Sequence, residues 1–290
     1  MEENNFTVIE KDRKQIADML LLNGTLTECP GLVHGKMGIA VFFFHYAQFT
    51  GNELFADYAM DVIGEMLNQI HVNSPADYEK GIAGIGVGID YLILNNFLKV
   101  EDDICEDFDY RMYRAVMYDP WQNFSLYSGL TGYGRYWISR LRYQRPLVQA
   151  QECLLQITTL IEEKLSGIST EEQTDVYCFL RDLQRVSGFD ICIRLLKQCQ
   201  EIWELQSSDV IRSFHRLGDS AIGNIVRAYQ RSRYFNDPLQ NKIDITLKQI
   251  PALDMEKSRT GMGLLTGYAG EGMLRLVVIN QTNISWMNLF

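Results

Sequence analysis

Gly81-Ile82-Ala83-Gly84-Ile85-Gly86-Val87 decides the fold of this 290-residue chain, because the same phrase returns along it. It consists of a glycine, two residues, a glycine or alanine, then an apolar run. The earlier copy reads Gly35-Lys36-Met37-Gly38-Ile39-Ala40-Val41. Later copies read Gly129-Leu130-Thr131-Gly132-Tyr133-Gly134 and Gly267-Tyr268-Ala269-Gly270-Glu271-Gly272, with a weaker one at Gly218-Asp219-Ser220-Ala221-Ile222-Gly223. The copies start 46 residues apart (35 to 81), then 48 (81 to 129) and 49 (218 to 267). The remaining interval, 129 to 218, is 89 residues, close to two periods, so a worn copy is expected over 174–183. Periods of this size mark arrays of helical repeats.

Each period carries two helical patterns. After the glycines of the first copy comes Ile39-Ala40-Val41-Phe42-Phe43-Phe44, apolar all round, as a helix enclosed by protein must be. The partner pattern is amphipathic. Leu54, Tyr58, Val62, Met66 and Ile70 recur every four residues, while Asp57, Asp61, Glu65 and Gln69 face away. Amphipathic helices are predicted over roughly 11–23, 52–71, 101–117, 146–165, 188–206 and 236–250. Buried helices are predicted over roughly 35–49, 81–98, 129–143, 173–185, 219–233 and 267–280. No alternating β-branched run is joined to another by a hairpin turn. The fold class is therefore all-α. The alternation predicts an α/α toroid of about six hairpins in one domain, 1–290, with a repeat frame over about 30–280 and a short tail, 281–290. The glycines are expected to let the inner helices crowd at their N-termini, and to permit positive φ in the loops that enter them.

Composition narrows the function classes. Lys and Arg total 27 against 37 Asp and Glu, a net charge of −10 with no basic run, which argues against nucleic-acid binding. The N-terminus lacks the layout of a signal peptide, and the most apolar stretch, Gly38 to Ala47, is shorter than the roughly 20 residues a membrane span needs. A cytoplasmic protein without a membrane span is the expectation. Six cysteines, none in a C-x-x-C pair, are read as reduced thiols.

The glycine-led helices resemble those of the lanthionine synthetase C-like family, the lanthipeptide cyclases. Gly31-Leu32-Val33-His34-Gly35-Lys36-Met37-Gly38-Ile39 and Gly263-Leu264-Leu265-Thr266-Gly267-Tyr268-Ala269-Gly270 carry the likeness best. The resemblance implies an α/α toroid that takes a peptide substrate at the glycine end of the ring. It also implies peptide natural-product maturation, in which cysteine thiols add to dehydrated Ser or Thr residues. The family's zinc, held by two Cys and one His, lies in a Trp-Cys-X-Gly phrase and a Cys-His-Gly phrase of late repeats. Here the corresponding places read Leu217-Gly218-Asp219 and Leu265-Thr266-Gly267. No zinc site carries over, so no metal and no cofactor is expected. The family's His-Gly phrase, whose His is proposed as an acid or base, matches His34-Gly35, which makes His34 the candidate catalytic residue.

The residues at the starts of the buried helices are the candidate peptide-binding set: Lys36, Lys80, Tyr133, Asp219, Tyr268 and Glu271. Lys36, Lys80 and Arg135, together with helix N-termini, suggest that an acidic peptide segment is held there. A second class of function is a glycosidase on a six-hairpin toroid. It needs two opposed carboxylates and an aromatic floor; Glu79, Asp219 and Glu271 are the acids available, and Trp121 is the one tryptophan in a loop. Cys29 and His34 are too few for a metal site. Asp102-Asp103-Ile104-Cys105-Glu106 matches the Asp-Asp-x-x-Glu phrase that binds magnesium and diphosphate in isoprenoid cyclases. At the start of an amphipathic helix, the favourable interaction of carboxylates with the helix dipole is a sufficient account of it and the preferred one.

Overall fold

The computed structural model describes residues 2–99, 103–143, 148–205, 221–235, 261–280 and 284–290. Among them are eleven α-helices and no β-strand. They are α1 (Glu2–Asn23), α2 (Lys36–Thr50), α3 (Leu54–Gln69), α4 (Ile82–Leu94), α5 (Glu106–Met117), α6 (Leu130–Tyr143), α7 (Val148–Lys164), α8 (Thr170–Val186), α9 (Asp190–Leu205), α10 (Ala221–Phe235) and α11 (Tyr268–Asn280). Among the described helices, α2, α4, α6, α8 and α11 are the more buried and α3, α5, α7 and α9 the half-buried ones, as expected, whereas α10, expected to be buried, keeps Tyr229, Arg231 and Arg233 partly exposed. The amphipathic segment predicted over 236–250 lies outside the described residues.

Two compact units divide the chain. One combines residues 1–74 with 217–290, and the other spans 75–216. In the first unit α2 packs on α3, α11 packs on both α1 and α2, and α10 meets α11. The last glycine-led helix thus lies directly against the first. In the second unit α4 packs on α6, α6 on α7 and α8, and α8 on α9.

The loops that enter α2, α4, α6 and α11 share one geometry, and the weaker copy at Gly218 lies outside the described residues. In the first copy Lys36 N–H donates to Cys29 C=O (2.9 Å) and Met37 N–H to Pro30 C=O (3.2 Å). The same bonds, at the same offsets, join Ile82 to Pro75, Ala83 to Ala76, Tyr268 to Gly261 and Ala269 to Met262; Leu130 N–H likewise reaches Asn123 C=O. This tight return explains the lead glycine. A Cβ on Gly35, Gly81 or Gly267 would lie 2.1, 2.2 or 2.3 Å from the carbonyl oxygen six residues earlier. The expected positive φ is not found. Gly35 and Gly81 have φ of −132° and −107°, and Gly51, at the end of α2, is the one described glycine in the left-handed region. Glycine is needed here for close approach and not for backbone conformation.

The following glycines join neighbouring repeats. A Cβ on Gly38 would stand 2.8 Å from Leu264 Cβ, and one on Gly132 would stand 2.8 Å from Tyr78 Cβ. One step further along, Gly86 receives the Tyr136 ring, Gly134 the Phe179 ring and Gly272 the Phe42 ring, each within 2.9 Å of where a Cβ would be. The loops themselves are also bonded in a single register. Tyr78 and Glu79 N–H both donate to Tyr127 C=O (3.0 and 3.1 Å), and Leu264 and Leu265 N–H both donate to Val33 C=O (2.9 and 3.2 Å).

The worn fourth copy is α8, which starts without glycines. Ser169 caps it, its hydroxyl accepting from Glu172 N–H and donating to the Glu172 carboxylate. Carboxylates replace backbone at this junction: Glu172 accepts Phe124 N–H (2.9 Å) and Asp175 accepts Leu126 N–H (2.8 Å).

One boundary differs from expectation. Helix α4 stops at Leu94 because Asn96 turns left-handed (φ 60°) and Phe97 and Leu98 N–H fold back onto Leu92 C=O. The short tail is described over 284–290 and is packed there. Trp286, Met287, Leu289 and Phe290 are buried in the first unit, and Gln230 of α10 donates to Met287 C=O (3.1 Å). None of the six cysteines is in a disulfide, and five of them are buried.

Gly132→Ala is expected to cost about 1–3 kcal/mol, because its Cβ would meet the Leu126 carbonyl oxygen at 2.2 Å as well as Tyr78. Gly64→Ala, in α3 with nothing within 4 Å of the new Cβ, is expected to gain about 0.5–1 kcal/mol. Denaturant melts of the two variants check this; a neutral Gly132→Ala would remove the close-approach account.

Candidate functional site

The shared loop geometry sets the residue before each lead glycine in the same place: His34, Lys80, Ser128 and Thr266. His34 is half-buried and the other three are exposed. In the first unit the bonds from Leu264 and Leu265 to Val33 bring two of these positions together, and His34 Nδ1 meets Thr266 Oγ1 at 3.0 Å. The contact orients the imidazole: whichever way the shared proton points, it selects the ring tautomer and so the role of Nε2.

The other candidate residues are dispersed in role. Lys36, at the first turn of α2, is buried and donates to Glu65 of α3 at 3.0 Å. Tyr268 is buried at the start of α11. Glu271, one turn later, accepts from Arg275 at 2.6 Å, and Arg275 also meets Asp12 of α1 at 3.3 Å. In the second unit Lys80 is exposed, and Tyr133 is buried on α6. Burial, and the charges of Asp77 and Asp119, push the Tyr133 hydroxyl up to about 12. Asp219 lies outside the described residues. The charge reading shifts accordingly. Lys36 is neutralised by Glu65 and Arg135 is buried near Asp182 (3.8 Å), so of the three cations only Lys80 is exposed for an acidic peptide.

A charged cluster that the sequence reading missed lies in the second unit. Arg140 of α6 is fully buried and binds Asp109 of α5 through Nε (3.0 Å) and Nη2 (2.9 Å). It also contacts Asp103, just before α5, and Asp90 of α4 at 3.5 Å. Tyr136 donates to Asp109 (2.5 Å) and Ser139 to Asp90 (2.9 Å). One guanidinium thus faces three carboxylates. Burial disfavours its charge, but the hydrogen bonds and charge of Asp109 more than offset this and hold Arg140 protonated. Asp90 receives only the longest of its contacts, and burial raises its carboxyl to about 6 despite the arginine. The Asp-Asp-x-x-Glu phrase has a structural use here, since Asp103 bonds Cys105 N–H (3.0 Å) and Arg140; Asp102 lies outside the described residues. Asp90 inside the otherwise apolar run of α4, and Arg140 inside α6, were the signals available in the sequence.

An open polar cavity of about 320 Å³ is lined by Gln122, Phe124, Glu163, Lys164, Ile168 and Glu172, beside exposed Trp121 in the chain. Glu172 is engaged by Ser169 and Phe124 N–H, and Lys164 bonds Gln122 (3.1 Å). Among the described residues no group of three His, Cys, Asp or Glu side chains is arranged to hold a metal ion, and no helix is long and apolar enough to cross a membrane. The chain matches no family model, and no curated relative is similar to it.

The Asp90 shift fixes a pH dependence. A carboxyl raised in the folded state favours folding most when protonated, below its ordinary value. That contribution is lost as pH rises through about 6. Asp90→Asn keeps a neutral group at all pH values. Relative to wild type it should therefore gain up to about 3 kcal/mol of stability between pH 4 and pH 7 in denaturant melts. A pH-independent difference would mean that Asp90 ionises normally.

Proposed function

We propose that this chain is a lanthionine synthetase C-like α/α toroid that binds a peptide, or helps to modify one, at the glycine-led helix starts. The proposal does not include the family's zinc-activated thiol. What supports it most is the repeated loop register, which joins the last repeat to the first through the Leu264 and Leu265 bonds to Val33. A ring of repeats requires such a last-to-first junction, whereas an open solenoid ends in polar capping repeats. The spacing of the repeats, the described helix pairs and the packing of α11 on α2 fit about six hairpins in a ring.

The peptide reading rests on the exposed edge of that junction. Side chains one residue before each lead glycine are the ones that the loop geometry leaves unpacked, and His34 is held there by Thr266. A ring-oriented imidazole next to a hydroxyl is suited to moving a proton at a Cys thiol or at the carbon beside a dehydrated residue. Positions Leu265 and Thr266 carry no thiolate, so metal-held sulfur is not part of the proposal.

Isothermal titration with synthetic peptides carrying dehydroalanine and cysteine tests the site. His34→Ala with Thr266→Ala alters the least packed side chains of the junction, so the fold should survive, and the affinity of a binding peptide should fall at least tenfold. An unchanged affinity would remove this edge as the site. One zinc per chain after desalting would overturn the metal-free reading.

A further inference from the structure

We propose that the outer face of α5 is a self-complementary contact surface, through which two copies of this chain pair antiparallel about a two-fold axis at Tyr110; this goes beyond the peptide reading and does not rest on it. The helix has two faces. Phe108, Asp109, Met112 and Val116 are buried on one of them. Glu106, Tyr110 and Arg114, four residues apart, form a single stripe along the other. All three are exposed, Tyr110 by 62%.

The aromatic side chains of this face are held in place. Tyr113 donates to Glu152 of α7 (3.0 Å), and the Tyr113 and Tyr118 rings meet edge to face with centroids 6.3 Å apart. Tyr118 is nonetheless 76% exposed. The Arg114 guanidinium lies over the Tyr110 ring, 5.9 Å from its centroid. Tyrosine and arginine are the side chains that protein interfaces favour, and side chains already held lose less freedom on association.

The order of the charges selects a second copy as the partner. Glu106 lies in the first turn and Arg114 in the last. Tyr110 is midway, so the two charges stand about 6 Å to either side of it along the axis. Turning the helix end for end about Tyr110 exchanges them. An antiparallel second copy therefore sets its Arg114 against Glu106 and its Glu106 against Arg114, while the two Tyr110 rings meet at the axis. Such reciprocal pairing is the pattern of an isologous two-fold interface. A parallel copy would set like charge against like charge. One helix face and its flanks make a small interface, so the expected dimer is weak and reversible.

Sedimentation velocity at physiological salt, from micromolar to near-millimolar protein, tests this. Wild type should dimerise reversibly. Arg114→Glu and Glu106→Arg each place like charges at both pairings, and each should raise the dissociation constant at least tenfold. Mixed in equal amounts, the two variants regain opposite charges at both pairings and should dimerise as wild type does. Circular dichroism checks that each variant, altered only at an exposed position, keeps its helices. Lys197→Glu on exposed α9 makes the same change of net charge as Arg114→Glu and should leave the dimer unaltered. A wild type that stays monomeric throughout, equal weakening by Lys197→Glu, or folded variants that fail to pair when mixed would overturn the proposal.

Discussion

The structure depends on a close approach of backbone to backbone. Where α2, α4 and α11 begin, the carbonyl six residues earlier occupies the space in which a side chain would start. That contact allows the loop to turn back on itself and donate two helix-start N–H groups to its own carbonyls. These groups have no intrahelical partner and would otherwise need a capping side chain. With its ends satisfied internally, each loop is a rigid unit that can be laid against the next in one register. The rings of Tyr136, Phe179 and Phe42 then fill the space left by glycines further along the neighbouring helix.

Much of this was legible in the sequence. The period located the four glycine phrases that are described and the place of the worn copy, and periodicity separated most buried helices from half-buried ones, α10 excepted. The physical cause of the glycines was only partly legible. Crowding between neighbours was expected and is present at Gly38, Gly132 and Gly134, but positive φ at the lead position is not. A glycine reads the same in a string of letters whether it frees φ or makes room for a carbonyl. Likewise nothing local marked 281–290 as packed, since its apolar residues have no periodicity and their burial depends on α10.

The candidate site was legible in position and less so in chemistry. Residues at helix starts were picked out together, yet the loop geometry divides them by side. Those before the lead glycine, such as His34 and Lys80, reach solvent, while those after it, such as Lys36, Tyr133 and Tyr268, are packed. Partners decide charge in the same way. Lys36 and Glu271 are each taken up by a long-range or one-turn ion pair that no motif announces. The Arg140 cluster shows the opposite case, in which isolated charges in apolar runs were visible but their meeting required three helices to pack. Such a buried network, once formed, is costly to leave incomplete, and it ties α4, α5 and α6 into one arrangement.

The central claim is that the last repeat is joined to the first through the same backbone register that joins neighbours elsewhere. Amide hydrogen exchange resolved at Leu264 and Leu265 tests it most directly. Bonded to Val33 C=O, these amides should exchange as slowly as those of Tyr78 and Glu79, which make the equivalent bonds to Tyr127, and only through cooperative opening. Exchange at the rate of an exposed loop, with Tyr78 and Glu79 still protected, would contradict the account.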